Sequence, residues 1–109
     1  MSAGEPIWHI TPDGTPASPG DEGFVHASFP HQLAGSLAKH YAGVNRVVLL
    51  RLDAAALGDT LVIEPSRDDQ LFPHVYGEVA DAAVLERLPL VRGPDGRFDL
   101  ASVSGAADS

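Results

Sequence analysis

The sequence predicts an α+β fold with a small, mainly antiparallel sheet and one main helix. Two observations carry this. About six short runs of β-branched and apolar residues are separated by Gly, Pro and Asp clusters, while only one stretch repeats its apolar residues at helical spacing. Strands and helices also fail to alternate regularly, which argues against a parallel α/β sheet. The chain has 109 residues, 44% hydrophobic and 20% charged. That suits a single domain large enough for a core without disulfides. Residues 1–100 read as that domain and 101–109 as a small, polar, fraying tail.

Each element follows from local chemistry. Residues 7–11 alternate well enough for a first strand. Residues 12–22 hold three prolines and two glycines and read as an irregular loop. In 23–28, a second strand, Phe24, His26 and Ser28 share one face. Pro30 opens a helix, where its missing N–H is harmless. Leu33, Leu37, His40 and Tyr41 then form one apolar stripe, with Gly43 as the stop. Residues 46–52, rich in strand formers, predict a central strand. Asp53 caps a short helix over 54–57 that Gly58 ends. Residues 61–64 and 71–76 are strands flanking a polar loop, and 80–83 is a short turn or helix. Residues 84–91 and 97–100 read as a hairpin around Gly93-Pro94-Asp95-Gly96.

Charge narrows the partners. Fifteen acidic against seven basic residues give a net charge of −8. Lys39, Arg46, Arg51, Arg67, Arg87, Arg92 and Arg97 are scattered, so no basic patch offers counterion release to a nucleic acid or an anionic membrane. No run approaches the ~20 apolar residues of a membrane span. The start of the chain lacks the basic and apolar regions of a secretory signal. With no cysteine there is no thiolate chemistry, and a cytoplasmic setting is expected. A small molecule remains as the expected ligand.

Three of the five histidines lie in strand-like runs: His9, His26 and His74. Strands fix where side chains point, so these imidazoles can converge on one site, and imidazole titrates near neutrality. The simpler alternative for each is a strand histidine bonded to a neighbouring carbonyl. Ser28 shares a face with His26. Phe72 and Tyr76 offer stacking surfaces, although strand aromatics usually belong to a core. His40 and Tyr41 read as packing, His31 as solvated, and Gln32 as a residue with a possible polar role in a pocket. Asp68 and Asp69 read as a solvated loop, and Gly58 and Gly77 as turn formers. Three histidines with water would suit zinc, but no His-x-His or His-Glu-x-x-His cluster occurs and no metal is expected.

The order of these motifs is itself informative. His-Ile-Thr at 9–11, Gly-Phe-Val-His-Ala-Ser at 23–28, a Gln-bearing helix ending Tyr-Ala-Gly, and Phe-Pro-His-Val-Tyr-Gly at 72–77 resemble the family called domain of unknown function 952, from about Ile7 to Leu100. That family is similar in fold to the ADP-ribosyltransferases, including their RNA 2′-phosphotransferase branch. The resemblance implies a split sheet holding NAD or an ADP-ribose compound. It places His9, His26 and His74 as candidate catalytic residues, and His9, His26, Ser28, Phe72 and Tyr76 as candidate cofactor-binding residues. An oxocarbenium-like cleavage of NAD needs an oriented ribose and a held leaving ring, which imidazoles and aromatics can provide. Two departures stand out. Residues 12–22 replace a helix that most relatives carry, and no glutamate stands at position 74. Glu64 is the best candidate for the missing carboxylate. The alternative is a non-enzymatic binding module that retains a degenerate nucleotide cleft. Transfer to tRNA is disfavoured by the net charge and the lack of paired arginines.

Overall fold

A computed structural model describes residues 6–66, 69–101 and 103. Six strands form two three-stranded antiparallel sheets. The first, in the order β1-β3-β6, contains β1 (Ile7–Thr11), β3 (Arg46–Leu52) and β6 (Val84–Val91). The second, in the order β2-β5-β4, contains β2 (Val25–His26), β5 (Leu71–Val75) and β4 (Leu61–Pro65). A single bridge joins them. Trp8 N–H donates to the Ser28 carbonyl at 2.9 Å, and Ser28 N–H donates to that of Trp8 at 2.7 Å.

The first sheet is covered on both faces, which explains the almost unbroken apolar run of its central strand β3. Val47 and Leu49 point to one side, where they meet Trp8 and helix α1 (Leu33–His40) through Leu33 and Leu37. Leu50 and Leu52 point to the other and meet Ile7, Val25 and Val75 of the two sheets. A register shift between Arg51 and Leu52 ends the regular β3–β6 ladder.

A 3₁₀ turn, Pro30–Gln32, leads into α1. The Gln32 Oε1 accepts from Phe29 N–H at 3.0 Å, while its Nε2 donates to the Leu71 carbonyl at 2.8 Å. Gln32 therefore holds the helix start against β5, which accounts for its burial and gives it a structural polar role. Asp53 caps α2 (Ala54–Leu57) by accepting from Ala55 N–H at 3.1 Å.

Three boundaries differ from the sequence reading. The strand expected over 23–28 keeps ladder geometry only at Val25 and His26, because residues 23–24 lie in a bend and Ser28 has crossed to pair with β1. The expected hairpin does reverse at 93–96, with Gly96 at φ +83, but its second arm forms no strand, pairing through the Arg92–Phe98 bridge and the bond from Gly93 N–H to the Arg97 carbonyl at 2.8 Å. The chain stays packed beyond residue 100: Val103 is buried in the α1-side core and donates to the Leu100 carbonyl at 2.9 Å. Residues 1–5, Arg67, Asp68, residue 102 and residues 104–109 lie outside the described residues, and with them most of the expected tail.

Arg92 fastens the end of α1 to this turn. Its guanidinium donates to the carbonyls of Val44, Tyr41 and Gly96 at 2.6–3.0 Å and lies 4.6 Å from the Phe98 ring centroid. Arg92→Ala is expected to lower the unfolding free energy by about 1 kcal/mol. Arg92→Lys should recover little of it, because a point charge cannot reproduce the planar fork. Urea unfolding of the two variants checks this.

Candidate functional site

The second sheet brings His26 and His74 together as directly opposed residues on β2 and β5. Their ring centroids are 5.5 Å apart and their planes nearly perpendicular. Phe24, from the bend before β2, lies flat on His74 at 4.1 Å and edge-on to His26 at 4.9 Å. Tyr76 follows β5, its ring 5.2 Å from that of Phe24. Alternation along β5 puts Phe72, His74 and Tyr76 on one face.

Each histidine has a different environment. His9 is buried, and both of its ring nitrogens are engaged. Its Nδ1–H donates to the His26 carbonyl at 2.8 Å, and its Nε2 accepts from Ala17 N–H at 3.4 Å. The carbonyl fixes the tautomer, so His9 fastens β1 to β2 and to the 12–22 loop. His26 is half exposed, and its Nε2 lies 2.7 Å from the Glu22 carboxylate. His74 is buried, its Nδ1 is 2.6 Å from Glu64 Oε2, and its Nε2 has no partner among the described residues. The same Glu64 oxygen accepts from the Tyr76 hydroxyl.

Glu64 is therefore the carboxylate that meets His74, reached from the neighbouring strand β4 rather than from position 74. The Tyr76 and His74 hydrogen bonds hold its pKa below the usual carboxylate value. In return the hydrogen bond to Glu64 raises that of the Tyr76 phenol. Burial raises the pKa of Tyr41, whose hydroxyl donates to the Ile10 carbonyl at 3.2 Å.

Burial also lowers the His9 pKa below 6.5, against the opposing effect of its bond to the His26 carbonyl. The unfolded chain then takes up a proton on His9 before the folded one does. The stabilisation this provides is complete above about pH 6.5 and is lost as the pH falls through the lower folded value. Unfolding free energy should therefore drop as the pH is lowered through and below about 6.5, and the drop should be shallower in a His9→Gln variant. Urea unfolding at a series of pH values measures both slopes.

A cleft of about 620 Å³ opens between β2, the 17–22 segment and the second half of α1. Of the residues singled out in the sequence, His9, His26, Ser28 and Phe72 line it, whereas His74 and Tyr76 do not. Sequence reasoning missed several lining residues, among them Glu22, Ser36, Lys39 and His40. Glu22 was read as part of a Pro/Gly-rich loop, although it stands four residues before His26. Lys39 was not singled out. His40 was assigned to packing, yet it is exposed on the cleft wall with its ring 6.2 Å from that of His26. At the back, Ser28 and Ser36 share a hydrogen bond of 2.9 Å. Among the described residues no group of three His, Asp or Glu side chains is placed to hold a metal ion. Nor is any helix there long and apolar enough to cross a membrane.

Fold and site together define a small α+β protein of two antiparallel sheets whose cleft is bounded by β2 and α1. The chain belongs to the family described as Protein of unknown function (DUF952), whose model matches residues 8–87. It is similar to protein CC0527 from Caulobacter crescentus. The crystal structure of that protein is 26% identical, with a TM-score of 0.74 over 89% of this chain and 96% of that one. The solution structure of CC0527 is 28% identical, with a TM-score of 0.74 over 89% and 94% of the two chains. No curated protein matches.

Proposed function

We propose that the cleft binds a small hydroxyl-rich anion, with NAD or an ADP-ribose compound as the leading ligand class. The cleft itself supports this reading. Its volume of about 620 Å³ falls within the usual ~300–1,000 Å³ range of ligand pockets. Its wall sets two imidazoles, His26 and His40, and the Lys39 ammonium near the aromatic rings of Phe24 and Phe72 and the hydroxyls of Ser28 and Ser36. Cationic and donor groups suit phosphate oxygens, serine hydroxyls suit ribose, and the rings suit a base. The similarity in fold to ADP-ribosyltransferases that the family resemblance implies selects which ligands to try first.

Binding without turnover is the primary reading, since Glu64 faces His74 and Tyr76 rather than lining the cleft. The Glu22–His26 pair favours a second reading, NAD hydrolysis. In that reaction water attacks the ribose carbon, the bond to nicotinamide breaks, and the water proton passes to His26. Titration with ADP-ribose and NAD, with chromatography for released nicotinamide, tests both. Saturable binding with no nicotinamide is expected. Release of nicotinamide that disappears in His26→Ala would replace the primary reading with the second.

A further inference from the structure

We infer that His74 Nε2 is a covered hydrogen-bond acceptor of the cleft, reached when Phe24 swings off the imidazole, and that its partner is a ligand hydroxyl. The inference rests on the cleft being the ligand site.

Three observations carry it. His74 is 3% exposed, and its Nε2 has no partner among the described residues. A buried polar atom without a partner is costly, so one kept in a native fold calls for an explanation. Secondly, the tautomer is set from the far side. Glu64 Oε2 accepts from both the Tyr76 hydroxyl and His74 Nδ1–H. When the ring carries one hydrogen, this pairing holds it on Nδ1 and leaves a lone pair on Nε2. An acceptor of this kind pairs with a hydroxyl, not with a phosphate oxygen.

Thirdly, the cover is thin and hinged. Phe24 and His26 both line the cleft and both touch the His74 ring, one stacked on it and the other beside it at a near right angle. Through these two rings His74 adjoins the cleft wall. Phe24 precedes the β2 ladder, and Gly23 before it sits at φ +86 with open space around it. That left-handed conformation suits glycine, whose backbone has the freedom a hinge needs, and its N–H is anchored on the Gly20 carbonyl at 3.0 Å, so the turn of Phe24 falls after Gly23. Moving Phe24 breaks no ladder bond.

Labelling with diethyl pyrocarbonate, read residue by residue by mass spectrometry, tests the cover without a ligand. Phe24→Ala and the more conservative Phe24→Leu should each raise His74 labelling by about tenfold or more, with His9 labelling unchanged. Labelling of His74 that stays flat, or rises together with His9 as in general loosening, would overturn the inference. In the unsubstituted protein, long-range ¹H–¹⁵N spectra should place the His74 hydrogen on Nδ1, and a hydrogen on Nε2 would overturn it as well. Addition of ADP-ribose should shift the imidazole signals of both His26 and His74. A shift at His26 alone would sink the hydroxyl contact and leave the cleft reading standing. No shift at either would sink that cleft reading, and the cover would then be judged by the labelling.

Discussion

Replacing His26 with alanine is expected to weaken ADP-ribose binding about thirtyfold, or roughly 2 kcal/mol, the scale of a hydrogen bond to a charged group. The ring is 53% exposed and stands on the cleft wall across from His40, where a ligand phosphate or ribose hydroxyl can reach it. Its ring is hydrogen-bonded to Glu22, which is itself exposed. Losing an exposed ion pair changes stability little, so the unfolding free energy should stay within ~0.5 kcal/mol. That separation matters. A variant that lost binding and stability together would show that His26 serves the fold. Calorimetric titration alongside urea unfolding distinguishes the two, and His26→Gln, which keeps a donor and an acceptor, should restore part of the affinity.

The second large effect is on the fold. Leu50→Ala is expected to cost about 3 kcal/mol of unfolding free energy, within the usual range for a fully buried leucine. Leu50 is fully buried at the centre of β3, opposite His9 on β1 and Arg87 on β6. Its side chain fills the space between the two sheets, with Ile7, Val25 and Val75 around it. Strands hydrogen-bonded on both sides cannot collapse easily into the gap, so the cavity should persist. Because the same layer carries the β2 end of the cleft, ligand affinity should fall in Leu50→Ala as well. In a Leu85→Ala control, at an exposed β6 position, neither should change. Denaturant unfolding of the pair provides the check.

Much of this was legible in the sequence because it depends on local rules. The run of strand formers in β3, the Pro30 helix entry, the Asp53 cap and the Gly93–Gly96 reversal each have a short-range cause, and each falls where expected. The convergence of His26 and His74 was also legible, since both stand in strand runs and a strand fixes the direction of its side chains. What the sequence could not show was which ring nitrogens are already engaged. His9 lines the cleft, but its bonds to the His26 carbonyl and the Ala17 amide depend on how the 12–22 loop folds back, a long-range outcome. Glu64 and His74 meet through the β4–β5 register, which no local pattern encodes. The stripe through Leu33, Leu37 and His40 was read as packing to its end. The helix stops at His40, so the last turn leaves the core and turns toward the cleft. Val103 was hidden for the opposite reason: one apolar residue in a small, polar tail gives no periodic signal, yet it fills the α1-side core.

Isothermal titration of the unsubstituted protein with ADP-ribose tests most directly whether the cleft is a ligand site. Saturable one-site binding that weakens about thirtyfold in His26→Ala is the predicted result. No heat at millimolar ADP-ribose or NAD, together with unmoved His26 imidazole signals, would contradict it.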